Sequence, residues 1–278
     1  MQWKKAEKPK IIHDVLGHPQ LCPLIDDWER RVPDPRIRSS LNDKLARLSP
    51  DRPFWVAALL FDLYQNPETL PSYCNTAAVH RPEEEASNEI FQEALPHYFR
   101  LQKVLAVSNT PKVEKQANLA IRMIASLLSD VQLVSVYLAL RMQKLEWSEP
   151  LDDEEKQQSA WINLYVDAPL ASRIGIFWIK SELEDRAFQI LQPEQYADLK
   201  RLVARKRDQR RMLVEKTLQE IQKMLQEAGL KHQVQGRYKR FYSIFEKLKR
   251  VDDDFEKIHD LTGFRVLVEH VRDCFTAL

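Results

Sequence analysis

Five glycines in 278 residues are the feature that most restricts how this chain can fold. Tight hairpin turns and left-handed corners lean on glycine, so the composition favours helices joined by proline-marked corners over a hairpin-rich β fold. Leu21–Arg31 reads as a helix ended at Val32-Pro33, because a residue before proline avoids the helical region. Ile37–Leu48 carries Leu41, Leu45 and Leu48 at helical spacing, and Phe54–Tyr64 is apolar throughout, stopping before Pro67. Pro71–Asn88 reads as a polar loop and Glu89–Val107 as a helix broken near Pro96. Val113–Leu128 and Val131–Leu145 are expected to form the core pair. Trp147–Gln158, acidic and polar, reads as a hinge, and Ala160–Ile190 as a helix pair punctuated by Gly175. One long helix should then run from Pro193 at its first turn to Gly229 just past its end.

Charge and cysteines narrow the setting. Lys and Arg total 42 against 41 Asp and Glu, so a protein that coats nucleic acid through bulk charge is excluded; the basic residues are local, in 200–211 and 237–250. Cys22, Cys74 and Cys274 are odd in number and far apart, which suits reduced thiols in a cytoplasmic protein, and they lack zinc-type spacing. The amino terminus has no apolar signal segment. The most apolar stretch, Leu119–Leu140, is interrupted by Arg122, Asp130 and Gln132, so it reads as buried helices and no membrane partner is expected.

The chemistry concentrates in Gln235–Arg250 and His259–Glu269. A short strand ending at Gly236 leads into a basic helix, and Phe264–Glu269 reads as a second strand. Arg237 and Lys239 fall where strand becomes helix, while Ser243 and Lys247 lie one helical turn apart on one face. A helix start with free N–H groups and cations beside it suits a polyphosphate, and Asp260 before the second strand suits the Mg²⁺ that accompanies one.

These residues resemble the start of the synthetase domain of the RelA/SpoT family of stringent-response enzymes. The family pattern Gly-Arg-x-Lys-x-x-Tyr-Ser-Ile-x-x-Lys is met by Gly236, Arg237, Lys239, Tyr242, Ser243, Ile244 and Lys247. Its Asp-Leu-x-x-x-Arg-x-x-Val strand is met by Asp260, Leu261, Arg265 and Val268, and its next helix start by Asp273 and Cys274. Tyr238 and Phe275 are mild departures. The resemblance implies a GTP pyrophosphokinase that moves the β,γ-pyrophosphate of ATP to the ribose 3′-oxygen of GDP or GTP, giving (p)ppGpp. By carry-over, Arg237, Lys239, Ser243 and Lys247 would hold ATP, and Asp260 would ligate Mg²⁺.

The same family opens with a helical His-Asp hydrolase domain that removes the 3′-pyrophosphate with Mn²⁺, and here the chain departs from it. The family motif Leu-Leu-His-Asp-x-x-Glu-Asp stands as Leu59-Leu60-Phe61-Asp62-Leu63-Tyr64-Gln65-Asn66. The motif Leu-Ala-Asp-Arg-Leu-His-Asn-Met stands as Leu138-Ala139-Leu140-Arg141-Met142-Gln143-Lys144-Leu145, and the first metal histidine should fall near Ile37. Phe61 and Leu140 have no lone pair for a metal, amides at Gln65 and Asn66 are not bases near neutral pH, and Lys144 repels a cation. No Mn²⁺ is expected in this domain. The stretch Ala168-Pro-Leu-Ala-Ser-Arg-Ile-Gly175 resembles the family's domain-junction signature, with Arg173 and Glu184 read as structural.

The fold expected is therefore mainly α. A degenerate hydrolase-like domain over 1–150 and a helical junction over 151–230 would lead to the start of an α/β nucleotidyltransferase-like synthetase domain over 231–278. Its opening is expected to be a parallel βα unit, with the last forty residues poorly ordered, rearranged or covered. The family's second Mg²⁺ carboxylate and guanine-stacking tyrosine lie beyond this stretch, so the 278 residues alone are expected to be catalytically incomplete. A ribosome partner is expected only through C-terminal regions that this chain does not include, and the oligomeric state stays open. The alternative is a non-catalytic regulatory module that binds a nucleotide or a partner through the hydrolase-like domain.

Overall fold

A computed structural model describes residues 21–278 apart from 65, 72–73, 75–81, 109–113, 128–129, 148–151, 252–253 and 259–260, and for some residues inside helices and strands it describes the backbone alone. The chain divides after Ile190 into two compact units.

The first unit is helical. Its elements are α1 (Cys22–Arg31), α2 (Pro35–Leu48), α3 (Arg52–Leu63), α4 (Pro82–Ser108), α5 (Glu114–Leu127), α6 (Val131–Glu146), α7 (Asp153–Ile162), α8 (Ala168–Arg173) and α9 (Phe177–Leu191). Aspartates set several of the starts: Asp34, Asp130 and Asp152 each accept a backbone N–H of the first turn, from Arg36, Gln132 and Glu155. Phe54 to Phe61 are buried without a break in α3, and α6 is buried from Leu133 to Gln143. A helix apolar all round belongs at the centre of a bundle, and α3 and α6 pack against each other there, with α1 and α4 also on α3 and α2 on α6. The core extends to Ile162, Val166, Leu170, Ile179 and Leu183, so the segment after residue 150 completes this unit.

Three expectations fail here. The loop expected over Pro71–Asn88 gives way to helix at Pro82, where proline at the first turn and Glu83-Glu84-Glu85 favour a helix start. Pro96 does not break α4; Phe91, Ala94, Tyr98 and Leu101 are buried on either side of it and offset the lost hydrogen bond. The expected hinge over Trp147–Gln158 is helical from Asp153, with the Asp152 cap and three acidic residues in the first turn. Between α7 and α8, Asn163–Asp167 form a π turn that buries Asp167.

The second unit begins with α10 (Pro193–Glu227), and Gly229 past its end adopts φ +69°. Strand β1 (His232–Tyr238) continues past Gly236, and β2 (Thr262–Val268) pairs with it antiparallel, His232 opposite Val268 and Tyr238 opposite Thr262. The expected parallel βα opening is thus corrected. The last forty residues, where described, are regular: α11 (Phe241–Leu248), β2 and α12 (Val271–Thr276). Gly236 faces α10, where an added Cβ would lie 3.6 Å from Leu218 Cδ1.

Candidate functional site

The carboxy-terminal halves of α3 and α6, together with Ile37 from the start of α2, surround a cavity of about 320 Å³ in the first unit. Phe61 and Asp62 line it from α3, and Leu140, Arg141, Gln143 and Lys144 from α6; Leu105 and Trp147 close it. Four positions singled out in the sequence, Phe61, Asp62, Leu140 and Lys144, therefore share one wall. Asn66 is not among the lining residues; it caps the turn Pro67–Thr69 by accepting the Glu68 N–H at 3.0 Å. Gln65 lies outside the described residues.

The polar groups on this wall are held by the protein. Gln143 donates Nε2 to the Ile37 carbonyl at 2.8 Å and accepts from Lys44 Nζ at 2.7 Å. Lys44, buried on α2, also bonds Ser40 Oγ and lies 2.5 Å from Glu146 Oε2, which accepts Ser40 Oγ at 2.9 Å. Burial opposes charge on Glu146, but the Lys44 and Ser40 bonds outweigh it and hold the carboxyl below its ordinary range. Asp62 accepts the Trp28 indole N–H at 3.1 Å, yet burial pushes its carboxyl toward the neutral form.

A divalent metal does not fit this set. Phe61, Leu140 and Ile37 have no side-chain donor atom, the Gln143 amide is engaged at both ends, and burial raises the Asp62 pKa, which weakens the one carboxyl on the wall as a ligand. Among the described residues, no group of three His, Cys, Asp or Glu side chains could hold a metal ion.

Arg141, one residue past Leu140, forms a buried ion pair with Asp167 of the π turn, Nε to Oδ2 2.9 Å, and Tyr137 donates to the other carboxylate oxygen at 2.8 Å. Sequence reasoning did not single out Lys44, Arg141 or Asp167. The available signal was a charge interrupting a buried stripe, as Lys44 does between Leu41, Leu45 and Leu48.

In the second unit, Lys239 occupies the short link between β1 and α11, its N–H bonded to the Leu261 carbonyl at 2.9 Å. Helix α11 buries Ile244 and Phe245, and Ser243 and Lys247 stand one turn apart on it, both half-buried. Arg237 pairs with Gly263 in the sheet register; its side chain lies outside the described residues, as does Asp260. Arg265 sits opposite Gln235 and is exposed.

Comparison with known proteins matches both units. Residues 236–278 match the pattern described as the region found in RelA / SpoT proteins, and residues 40–177 match an HD domain. The chain belongs to the RelA/SpoT family. It is 34% identical over 199 residues to a GTP pyrophosphokinase of Myxococcus xanthus, covering 70% of this chain and 26% of that protein. A GTP pyrophosphokinase of Streptomyces antibioticus is 32% identical over 288 residues, 95% of this chain and 33% of its own length. The bifunctional (p)ppGpp synthase/hydrolase SpoT of Escherichia coli is 31% identical over 234 residues, 84% and 32% respectively. The chain thus spans about a third or less of these RelA/SpoT relatives. No helix among the described residues is long and apolar enough to cross a membrane.

Proposed function

We propose that this RelA/SpoT chain serves synthesis of (p)ppGpp, as part of a cytoplasmic GTP pyrophosphokinase, and that its helical unit hydrolyses nothing. Relatives carry names of both activities, so membership alone leaves the direction open. The observation that carries the choice is the wall of the first-unit cavity, where Phe61, Leu140, Gln143 and Lys144 meet and no metal-ligand set exists among them. A hydrolase of this type needs a metal to activate water, and these side chains supply neither ligand nor base.

The synthetase half rests on Lys239 just before α11, Ser243 in its first turn and Lys247 in its last, within the part matched to RelA/SpoT proteins. Phosphoryl-type transfer asks the protein chiefly to position the donor and neutralise charge. Lys239 and Lys247 are suited to the ATP phosphates, with Arg237 as a further cation for ATP and Asp260 as the Mg²⁺ ligand in the same reading. GDP or GTP is the acceptor in this reading, and the 278 residues alone are not expected to complete the transfer. Incubation with (p)ppGpp labelled in the 3′-pyrophosphate, with Mn²⁺ present, should release no pyrophosphate above a protein-free blank. Sustained release would reverse the assignment.

A further inference from the structure

Helix α11 is eight residues long, and its N-cap residue, Arg240, makes no side-chain cap bond. A helix this short and uncapped is not stable by itself, so packing decides where it lies and how it is turned about its axis. Phe241, Ile244, Phe245 and Leu248 recur at helical spacing and form its apolar stripe. Ser243 and Lys247, one turn apart, fall outside that stripe, toward the other side of the axis. Any rotation of α11 therefore displaces the two of its residues read as phosphate ligands.

Ile244 and Phe245 are buried and hold the middle of the helix. Its start is held from two sides. The Lys239 N–H bonds the Leu261 carbonyl at 2.9 Å, which ties the preceding link to the residue just before β2. Two residues on, the Phe241 ring meets the Tyr196 ring edge to face, centroids 5.3 Å apart and planes at 67°. Tyr196, far from the motif in sequence, stands in the first turn of α10, where its own N–H bonds the Gln192 carbonyl at 3.0 Å. Leu199, three residues later on the same face of α10, is buried. The longest helix of the second unit thus presents a fixed aromatic ring to the residue at which α11 begins.

We propose that Tyr196 is a positioning residue for phosphate binding: its ring holds Phe241 and so fixes the rotation of α11 that presents Ser243 and Lys247. The role rests on the reading of α11 as part of an ATP site. Equilibrium binding of Mg·ATP to the full 278-residue chain tests it. Tyr196→Ala should raise Kd about two- to tenfold, the effect expected of one aromatic pair. Tyr196→Phe keeps the ring and should bind as the parent does. Tyr196→Ala made in a Phe241→Ala chain should add nothing further, because the partner ring is already gone. Gly229→Ala, which strains the backbone at the opposite end of α10, controls for general loss of stability and should leave Kd unaltered. With a parent that binds, four results would each overturn the role: a Kd unchanged in Tyr196→Ala, a Tyr196→Phe chain as weak as Tyr196→Ala, full additivity with Phe241→Ala, or equal weakening in Gly229→Ala. A parent that binds no Mg·ATP would instead overturn the ATP reading, and this role with it.

Discussion

Trp28 donates its indole N–H to Asp62 at 3.1 Å, a bond that favours the carboxylate, but burial in α3 outweighs it and raises the pKa above the ordinary 3.8. The sign of the pH dependence follows. Below 3.8 the carboxyl is protonated folded or unfolded and contributes nothing. As pH rises from there to the raised folded value, the unfolded chain releases its proton first, so stability falls and stays lower above that window. Asp62→Asn cannot ionise and keeps an acceptor for Trp28. Urea unfolding should find it equal to the parent at the acid end and more stable at pH 7; a difference independent of pH would contradict this. Arg141 behaves oppositely. Its pairing with Asp167 is almost fully buried, so Arg141→Ala leaves a carboxylate uncompensated and should cost about 3–5 kcal/mol in the same measurement. A loss below 1 kcal/mol would show that the pair is not structural.

At the scale of elements, the chain's turns are where its few glycines matter. Gly229 closes α10 at φ +69° with open space around it, so Gly229→Ala strains the backbone alone and should lower stability by about 1 kcal/mol. Gly236, by contrast, would bring a Cβ only into ordinary contact with Leu218 and Val214, and Gly236→Ala should stay within about 0.5 kcal/mol. Thermal unfolding of the two variants checks both, and the reverse order would contradict the argument. Much of this level was legible in the sequence. The helices α1, α2, α3, α6 and α10 follow from apolar spacing and proline placement, signals local to each segment. Pro96 was misread because what carries α4 past a proline is burial against other helices, which neighbouring residues do not encode. The antiparallel pairing of β1 and β2 was also hidden, since one strand's sequence does not state which direction its partner runs.

At the scale of the whole molecule, the cavity could be read further than its contents. Residues from α2, α3 and α6, far apart in sequence, were expected at one centre, and Ile37, Phe61, Asp62, Leu140 and Lys144 line one cavity. The network that engages the wall's Gln143, made with Lys44 and Glu146, was not legible, because it depends on side chains from α2 and α6 meeting at 2.5–2.7 Å. The second unit carries the other half of the account, and there Lys239 before α11 and Lys247 in its last turn are given one task, holding the phosphates of ATP. Equilibrium binding of Mg·ATP to the parent chain and to Lys239→Ala, Lys247→Ala and Lys144→Gln tests that task most directly. The account predicts saturable binding that weakens about tenfold or more with each of the first two changes and is unaltered by the third. Binding of equal strength in the parent and in the Lys239→Ala and Lys247→Ala variants would contradict it.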